Sequence, residues 1–86
     1  MLLKVTHAKY LKGYQLKLQF NDGLSGVINL QDHIHGPVFE PLKDKTFFKK
    51  FQLNRWTIEW ENGADFAPEF LHELTAQQKK AIQPKS

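Results

Sequence analysis

At 86 residues without a cysteine, the chain has room for one domain and excludes a disulfide framework, a thiolate metal site and a cysteine nucleophile. The formal net charge is +3, but lysines and arginines are absent from residues 59–73 and cluster on either side of them, a bipolar pattern that favours a protein partner at least as much as a polyanion. No signal-peptide pattern or long apolar run is present in the sequence, so we expect a soluble cytoplasmic protein.

The first third of the chain predicts an antiparallel meander. Residues 2–10 begin extended, and residues 14–20 alternate apolar and polar side chains, which is typical of a half-buried strand. Asn21-Asp22-Gly23 fits a three-residue hairpin loop, and residues 24–30 return as a third strand. Gly26 interrupts that strand, which predicts a bulge or a close approach of neighbouring backbone.

The middle of the chain predicts a connection followed by a short helix. Gly36-Pro37 indicates that residues 31–42 form a structured connection or a helical turn. Three apolar side chains of this connection are expected to tuck under the sheet: Val38, Phe39 and Leu42. Asp44 predicts the N-cap of a short helix that ends near Phe51. The adjacent lysines of this helix are expected to point outward: Lys49 and Lys50.

The next segment predicts a hairpin and then a helix. Three apolar residues alternate with polar ones and predict a strand with one apolar face: Trp56, Ile58 and Trp60. Asn62-Gly63 supplies the positive backbone angles of a tight turn. Pro68 favours the first turn of a helix. A capping-box pattern at Thr75 predicts a separate final helix that stops before Pro84, with a frayed end at Pro84 to Ser86.

These elements predict an α+β fold. Residues 1–74 are expected to form a single small domain with a mainly antiparallel sheet, made of the N-terminal meander and the C-terminal hairpin, and two or three short helices. Residues 75–86 are expected to form a short C-terminal helix and a frayed tail.

Candidate metal ligands are isolated in the sequence. His33 and His35 would direct two imidazoles to one side of an extended segment, with Asp32 as a third ligand, but no firm further ligand follows. We therefore interpret them as surface residues. Glu69 and His72 have a spacing found in carboxylate-rich metal bundles, but such bundles need a second pair on another long helix. The sequence predicts no metal site and no cofactor.

Four carboxylates cluster in the sequence: Glu59, Glu61, Asp65 and Glu69. Glu59 is expected to face solvent, Glu69 to be stabilised by a helix dipole, and Asp65 to accept hydrogen bonds from turn or helix amides. Because no nucleophile, base and orienting group support one another, we predict no catalytic residue and expect that the protein is not an enzyme.

A candidate interaction patch is formed by basic residues in the middle of the chain: Lys43, Lys45, Lys49, Lys50 and Arg55. Nearby aromatic residues have spacings that favour core packing over exposed stacking platforms: Phe47, Phe48, Phe51 and Trp56. Nucleic-acid binding through this patch is therefore the alternative function rather than the main one.

The ordered set of motifs resembles the small bacterial proteins of domain of unknown function family 2442. The resemblance rests on the strand of Tyr14 to Phe20 with its Asn21-Asp22-Gly23 turn, on Gly26 to Leu30, on Gly36 to Asp44, and on Thr57 to Leu71. It implies a compact α+β domain and brings no activity. Some members carry a C-terminal helix-turn-helix, for which residues 73–86 are too short.

Many members are encoded beside another small protein in a manner suggestive of toxin–antitoxin pairs. The resemblance therefore implies a non-catalytic protein-binding module, the antitoxin-like member of such a pair, with a small protein partner encoded nearby. The remaining motif residues are expected to be structural: Trp60, Asn62, Gly63, Asp65, Pro68 and Glu69.

Overall fold

Three consecutive strands form an antiparallel meander in the computed structural model, which describes residues 2–82 and the side chains of residues 2–78. The strands are β1 (Val5–Tyr10), β2 (Gln15–Phe20) and β3 (Ser25–Asn29). The apolar residues of β2 are buried and its polar residues are not fully buried, so the predicted meander is confirmed. Gly23 closes the β2–β3 turn with φ 95°, as predicted.

Of the two alternatives predicted at Gly26, the bulge is wrong. Gly26 lies in regular register with Leu18 of β2, so no extra residue is inserted there. The register shift occurs in β1, between Val5 and His7. The Thr6 hydroxyl donates a hydrogen bond to the Gln19 carbonyl at 3.1 Å. This side-chain hydrogen bond connects β1 and β2 at the position of the register shift.

The connection after β3 contains two 3₁₀ helices, Gln31–His33 and Pro37–Lys43, as its proline and glycine content predicted. Leu42 is buried and Phe39 is half-buried. The prediction that Val38 tucks under the sheet is wrong, because its side chain is 44% exposed. Residues three apart share a face of a 3₁₀ helix, which aligns Phe39 with Leu42 and leaves Val38 outside.

Helix α1 (Lys45–Phe48) follows, and Asp44 caps it as predicted. The Asp44 carboxylate accepts a hydrogen bond from the Thr46 N–H at 3.0 Å. The helix ends before Phe51, which is half-buried and outside it. Lys49 and Lys50 are exposed, as expected.

A second, two-stranded sheet pairs β4 (Gln52–Leu53) with β5 (Ile58–Glu59). The predicted apolar face of Trp56, Ile58 and Trp60 is wrong at Trp56, which is 39% exposed. The Asn54 side chain accepts hydrogen bonds from the N–H groups of Trp56 and Thr57 at 2.7 and 2.8 Å. This local turn shortens the strand and turns Thr57, rather than Trp56, toward the interior.

The turn after β5 repeats the hydrogen bonding of the β2–β3 turn. The Trp60 N–H donates to the Ala64 carbonyl and the Gly63 N–H to the Trp60 carbonyl, both at 2.9 Å. Gly63 has φ 93°, whereas Asn62 has no positive φ. The return strand is reduced to one bridge between Glu59 and Asp65. The predicted hairpin is therefore present, but it is short and belongs to its own sheet.

One helix, α2 (Pro68–Ile82), packs against β3. The separate helix predicted from Thr75 is wrong. Thr75 is fully buried inside α2, and its hydroxyl donates to the Leu71 carbonyl at 2.8 Å, so it caps nothing. The frayed end predicted for Pro84 to Ser86 lies outside the described residues.

Trp60 lies at the centre of the aromatic core. Its ring is 5.7 Å from Phe48, 6.3 Å from Phe51 and 6.0 Å from Phe66, measured between ring centroids. Its indole N–H donates to the Phe48 carbonyl at 2.7 Å. Among the residues that the structure describes, no helix is long and apolar enough to cross a membrane.

Candidate functional site

One open groove of about 490 Å³ is lined in part by exposed apolar side chains. We call it the Trp56 groove. Three segments line it: Leu2 and Leu3 before β1, then Asn54, Trp56 and Thr57 between β4 and β5, and Asp65 to Glu69 before and at the start of α2. The groove therefore joins the two sheets and the long helix.

Local turns place the side chains of the Trp56 groove. The Asn54 turn directs Trp56 outward, and the Val5 N–H ties the Trp56 carbonyl to β1 at 2.9 Å. The Thr57 hydroxyl donates to the Phe66 carbonyl at 2.7 Å. This buried hydrogen bond holds the β4–β5 connection against the segment that precedes α2.

The groove is apolar inside and acidic at its edge. Trp56 and Leu2 are 39% and 69% exposed, and both line it. The charged residues among its lining residues are Asp65 and Glu69, both exposed. Within the described part of the chain, this lining carries two acidic and no basic side chains, and the exposed Arg55 is the sequence neighbour of Trp56.

His72 does not line the groove, although it lies three residues after Glu69 on α2. Its Nε2 lies 2.7 Å from the Asp22 carboxylate, which belongs to the β2–β3 turn, and its ring packs against Phe20 at 5.0 Å. A hydrogen bond from the Leu24 N–H, followed by that from His72, lowers the pKa of Asp22 below its ordinary value of 3.8. Sequence reasoning missed this contact, which spans 50 residues.

The two histidines considered as a metal pair have separate contacts. The His33 ring packs against Phe70 at 5.2 Å, whereas the His35 Nε2 lies 2.6 Å from the Asp32 carbonyl. Ile34 between them is buried. Within residues 2–78, no group of three or more His, Cys, Asp or Glu side chains is placed to hold a metal ion.

All five side chains of the candidate basic patch are exposed: Lys43, Lys45, Lys49, Lys50 and Arg55. Lys43 pairs with Glu40 at 3.3 Å, and Lys45 lies 5.6 Å from the centre of the Tyr14 ring. Four of the five follow one another along the 3₁₀ helix, α1 and the turn after it. Arg55 lies apart, in the β4–β5 connection beside the exposed Trp56.

A second basic surface was missed from the sequence, on the outer face of the three-stranded sheet. Lys9 of β1 and Lys17 of β2 are directly paired beside a depression of about 500 Å³, whose lining also includes His7, Gln19 and Leu53. The signals that could have found it were the alternation of β2 and the turn at Lys12-Gly13, which sets the register between β1 and β2. Like charges directly opposite each other are destabilising.

The turn motif residues have structural contacts. The Asn62 side chain accepts from the Ala64 N–H at 3.2 Å and donates to the Val38 carbonyl at 2.8 Å. It thereby joins the second turn to the 3₁₀ helix. Trp60 lies in the core, and Pro68 is the first residue of α2.

A family model described as protein of unknown function (DUF2442) matches residues 5–75. This match covers the meander, both tight turns, the connection and the first half of α2. No curated protein and no solved structure gives a significant match.

Proposed function

The chain belongs to the DUF2442 family of proteins of unknown function, and on that premise we propose that it is a non-catalytic module that binds another protein. The observation that carries this proposal is the Trp56 groove. It combines two exposed apolar side chains, Trp56 and Leu2, in one concave surface with an acidic edge.

Exposed apolar side chains are ordinary when they are scattered singly. Here Trp56 and Leu2 line the same concavity as Phe66 and Ala67. Protein interfaces are enriched in tryptophan, and the residues that contribute most to binding lie in pockets from which water is excluded. A partner side chain in this groove would bury Trp56 without disturbing the core.

The acidic side chains that line the groove favour a positively charged ligand. Asp65 and Glu69 at its edge would repel phosphate groups and attract ammonium or guanidinium groups. The complementary ligand is a protein segment that places an apolar side chain next to lysine or arginine. This electrostatic argument favours a protein over a nucleic acid at this site.

The proposed biological role is that of the antitoxin-like member of a toxin–antitoxin-type pair, whose partner is a small protein encoded nearby. The gene arrangement implied by the family resemblance supports this role. His72 is paired with Asp22 and does not line the groove with Asp65 and Glu69, which supports a binding function without catalysis, because a general acid and base must act on one substrate.

The experiment is co-purification of the tagged protein from its native host at moderate salt, followed by affinity measurements with the purified partner. We expect a stoichiometric small protein with the wild type. Trp56→Ala should weaken its binding at least tenfold. Val38→Ala is the matched control, because Val38 is similarly exposed but does not line the groove. Failure to recover a partner, or binding insensitive to Trp56→Ala, would overturn the proposal.

Nucleic-acid binding is the second candidate function. The exposed lysines of the basic patch and the exposed indole of Trp56 beside Arg55 favour it, because single-strand binding combines basic side chains with stacking rings. Affinity for a labelled single-stranded oligonucleotide would then fall steeply with salt. It would also be lost on Lys49→Glu with Lys50→Glu and retained on Lys9→Glu with Lys17→Glu.

A further inference from the structure

The outer edge of β3 is an unpaired strand edge. The Phe20 N–H bonds to the Leu24 carbonyl and the Leu30 N–H to the Tyr14 carbonyl. Hydrogen-bonded pairs alternate along an antiparallel ladder. Gly26 and Ile28 therefore bond to β2, and the backbone groups of Ser25, Val27 and Asn29 point away from it. Within the described residues, no backbone or side-chain group bonds to these outward groups.

This edge has none of the usual protection against another strand. Natural edge strands are blunted by lysine, proline or bulges, whereas Ser25-Gly26-Val27-Ile28-Asn29 contains no charge and no proline and keeps a regular register. The opposite edge of the sheet differs, because the Trp56 carbonyl and β4 lie beside β1. A shallow depression that includes Val27, Asn29 and Gln78 of α2 borders the β3 edge.

We propose that β3 pairs with β3 of a second copy of this chain, antiparallel and about a two-fold axis through Val27. The outward N–H and C=O groups of Val27 then bond to those of its symmetry mate, and those of Ser25 bond to those of Asn29. The two three-stranded sheets become one continuous sheet. This self-association goes beyond the proposed binding function and does not depend on it.

The side chains are complementary in this register. Val27 is 37% exposed and meets its own copy across the axis, so two apolar side chains cover each other. Ser25 faces Asn29, a polar pair, and on the inner face Gly26 faces Ile28. Pairing with a strand of another protein would not require β3 to be complementary to itself. The complementarity of β3 with its own copy therefore favours a second copy of this chain as the partner.

The lysine described beside this edge does not oppose the pairing. Within the described side chains, Lys17 of β2 lies opposite Val27, and its symmetry mate lies opposite the second Val27. Three strand spacings separate them, about 14 Å. This distance exceeds the screening length of about 8 Å at physiological salt.

Sedimentation velocity on the full chain from micromolar to millimolar concentration tests the proposal. The wild type should shift reversibly from monomer to dimer. Val27→Lys places two ammonium groups opposite each other and should raise the dimer dissociation constant at least tenfold. Val27→Pro removes the N–H at the axis and should do the same. Both substitutions leave the bonds to β2 intact, and circular dichroism verifies that the variants fold.

Gln19→Lys is the matched control, since it adds the same charge to the same face of the sheet on the central strand, and it should leave the dimer unchanged. Trp56→Ala should also leave it unchanged, which separates this edge from the groove. A wild type that stays monomeric at millimolar concentration would overturn the proposal, as would a dimer that persists in both Val27 variants.

Discussion

At the scale of single residues, the same alternating pattern places one tryptophan in the core and another at the surface. Trp60 was predicted as a core residue from its alternation with polar neighbours, and it is almost fully buried. Trp56 has the same alternation and is exposed, because the Asn54 side chain turns the chain there. An alternating pattern predicts which residues lie on the same face of a continuous strand. A turn held by a side-chain hydrogen bond interrupts the strand, and residues beyond it can then lie on the other face.

Trp60→Ala should lower the free energy of unfolding by about 3 to 5 kcal/mol, because it leaves a large cavity among three aromatic rings and removes the donor to the Phe48 carbonyl. Urea unfolding followed by circular dichroism measures the change. Trp56→Ala serves as the control and should cost less, because the 39% exposed side chain leaves no enclosed cavity when it is removed. Similar losses in the two variants would contradict this assignment.

The hydrogen bonds that the Asp22 carboxylate accepts predict an acid dependence of stability. The pKa of Asp22 is lowered in the folded protein, so the unfolded chain takes up the proton first as pH falls. The stability contributed by this carboxylate is therefore fully present above about pH 3.8, the ordinary value, and is lost as pH falls through the lower folded pKa.

Urea midpoints of wild type and Asp22→Asn at a series of pH values test this dependence. Asp22→Asn should be less stable than wild type at neutral pH, and the two curves should converge in acid. Asp65→Asn is the control, because Asp65 is not a partner in the hydrogen bonds of Asp22. A difference that stays constant with pH would show that the carboxylate charge is not responsible.

At the scale of secondary-structure elements, local signals predicted most of the fold. The alternation of β2, the glycine turns and the Asp44 cap each act over a few residues, and each is confirmed. The Thr75 signal failed because a capping-box pattern also fits inside a helix, where burial and the Leu71 carbonyl satisfy the hydroxyl. Strand β4 was not predicted, because its two residues are too few to show an alternating pattern.

Substitution of Gly63 in the turn after β5 is expected to change stability through the backbone conformation and not through packing. Gly63 has φ 93°, and an added Cβ would meet no atom within 4 Å. Gly63→Ala should therefore destabilise the protein by about 1 to 2 kcal/mol through backbone strain alone. Gly63→Asn should cost less, since asparagine tolerates positive φ better. Equal costs for alanine and asparagine in urea unfolding would argue against this origin.

At the scale of the whole molecule, the charge blocks of the sequence become separate surfaces. The acidic block contributes Asp65 and Glu69 to the Trp56 groove, and Lys9 and Lys17 of the N-terminal block are paired on the meander. The bipolar distribution was readable from the sequence. The groove itself was not, because its three walls are brought together only by long-range contacts such as that between Val5 and Trp56.

This separation predicts how charge reversal affects binding of the partner recovered by co-purification. Asp65→Lys with Glu69→Lys reverses the edge of the groove and should slow association at least tenfold at low salt, because attraction becomes repulsion. Glu61→Lys with Glu73→Lys is the matched control. It changes the net charge equally and alters exposed carboxylates outside the groove. Association rates are measured by stopped-flow or surface plasmon resonance at several salt concentrations. The groove variant should associate more slowly than the control variant, and the wild-type rate should fall as salt rises.

Equal slowing in both double variants would assign the effect to net charge and contradict the Trp56 groove as the binding site.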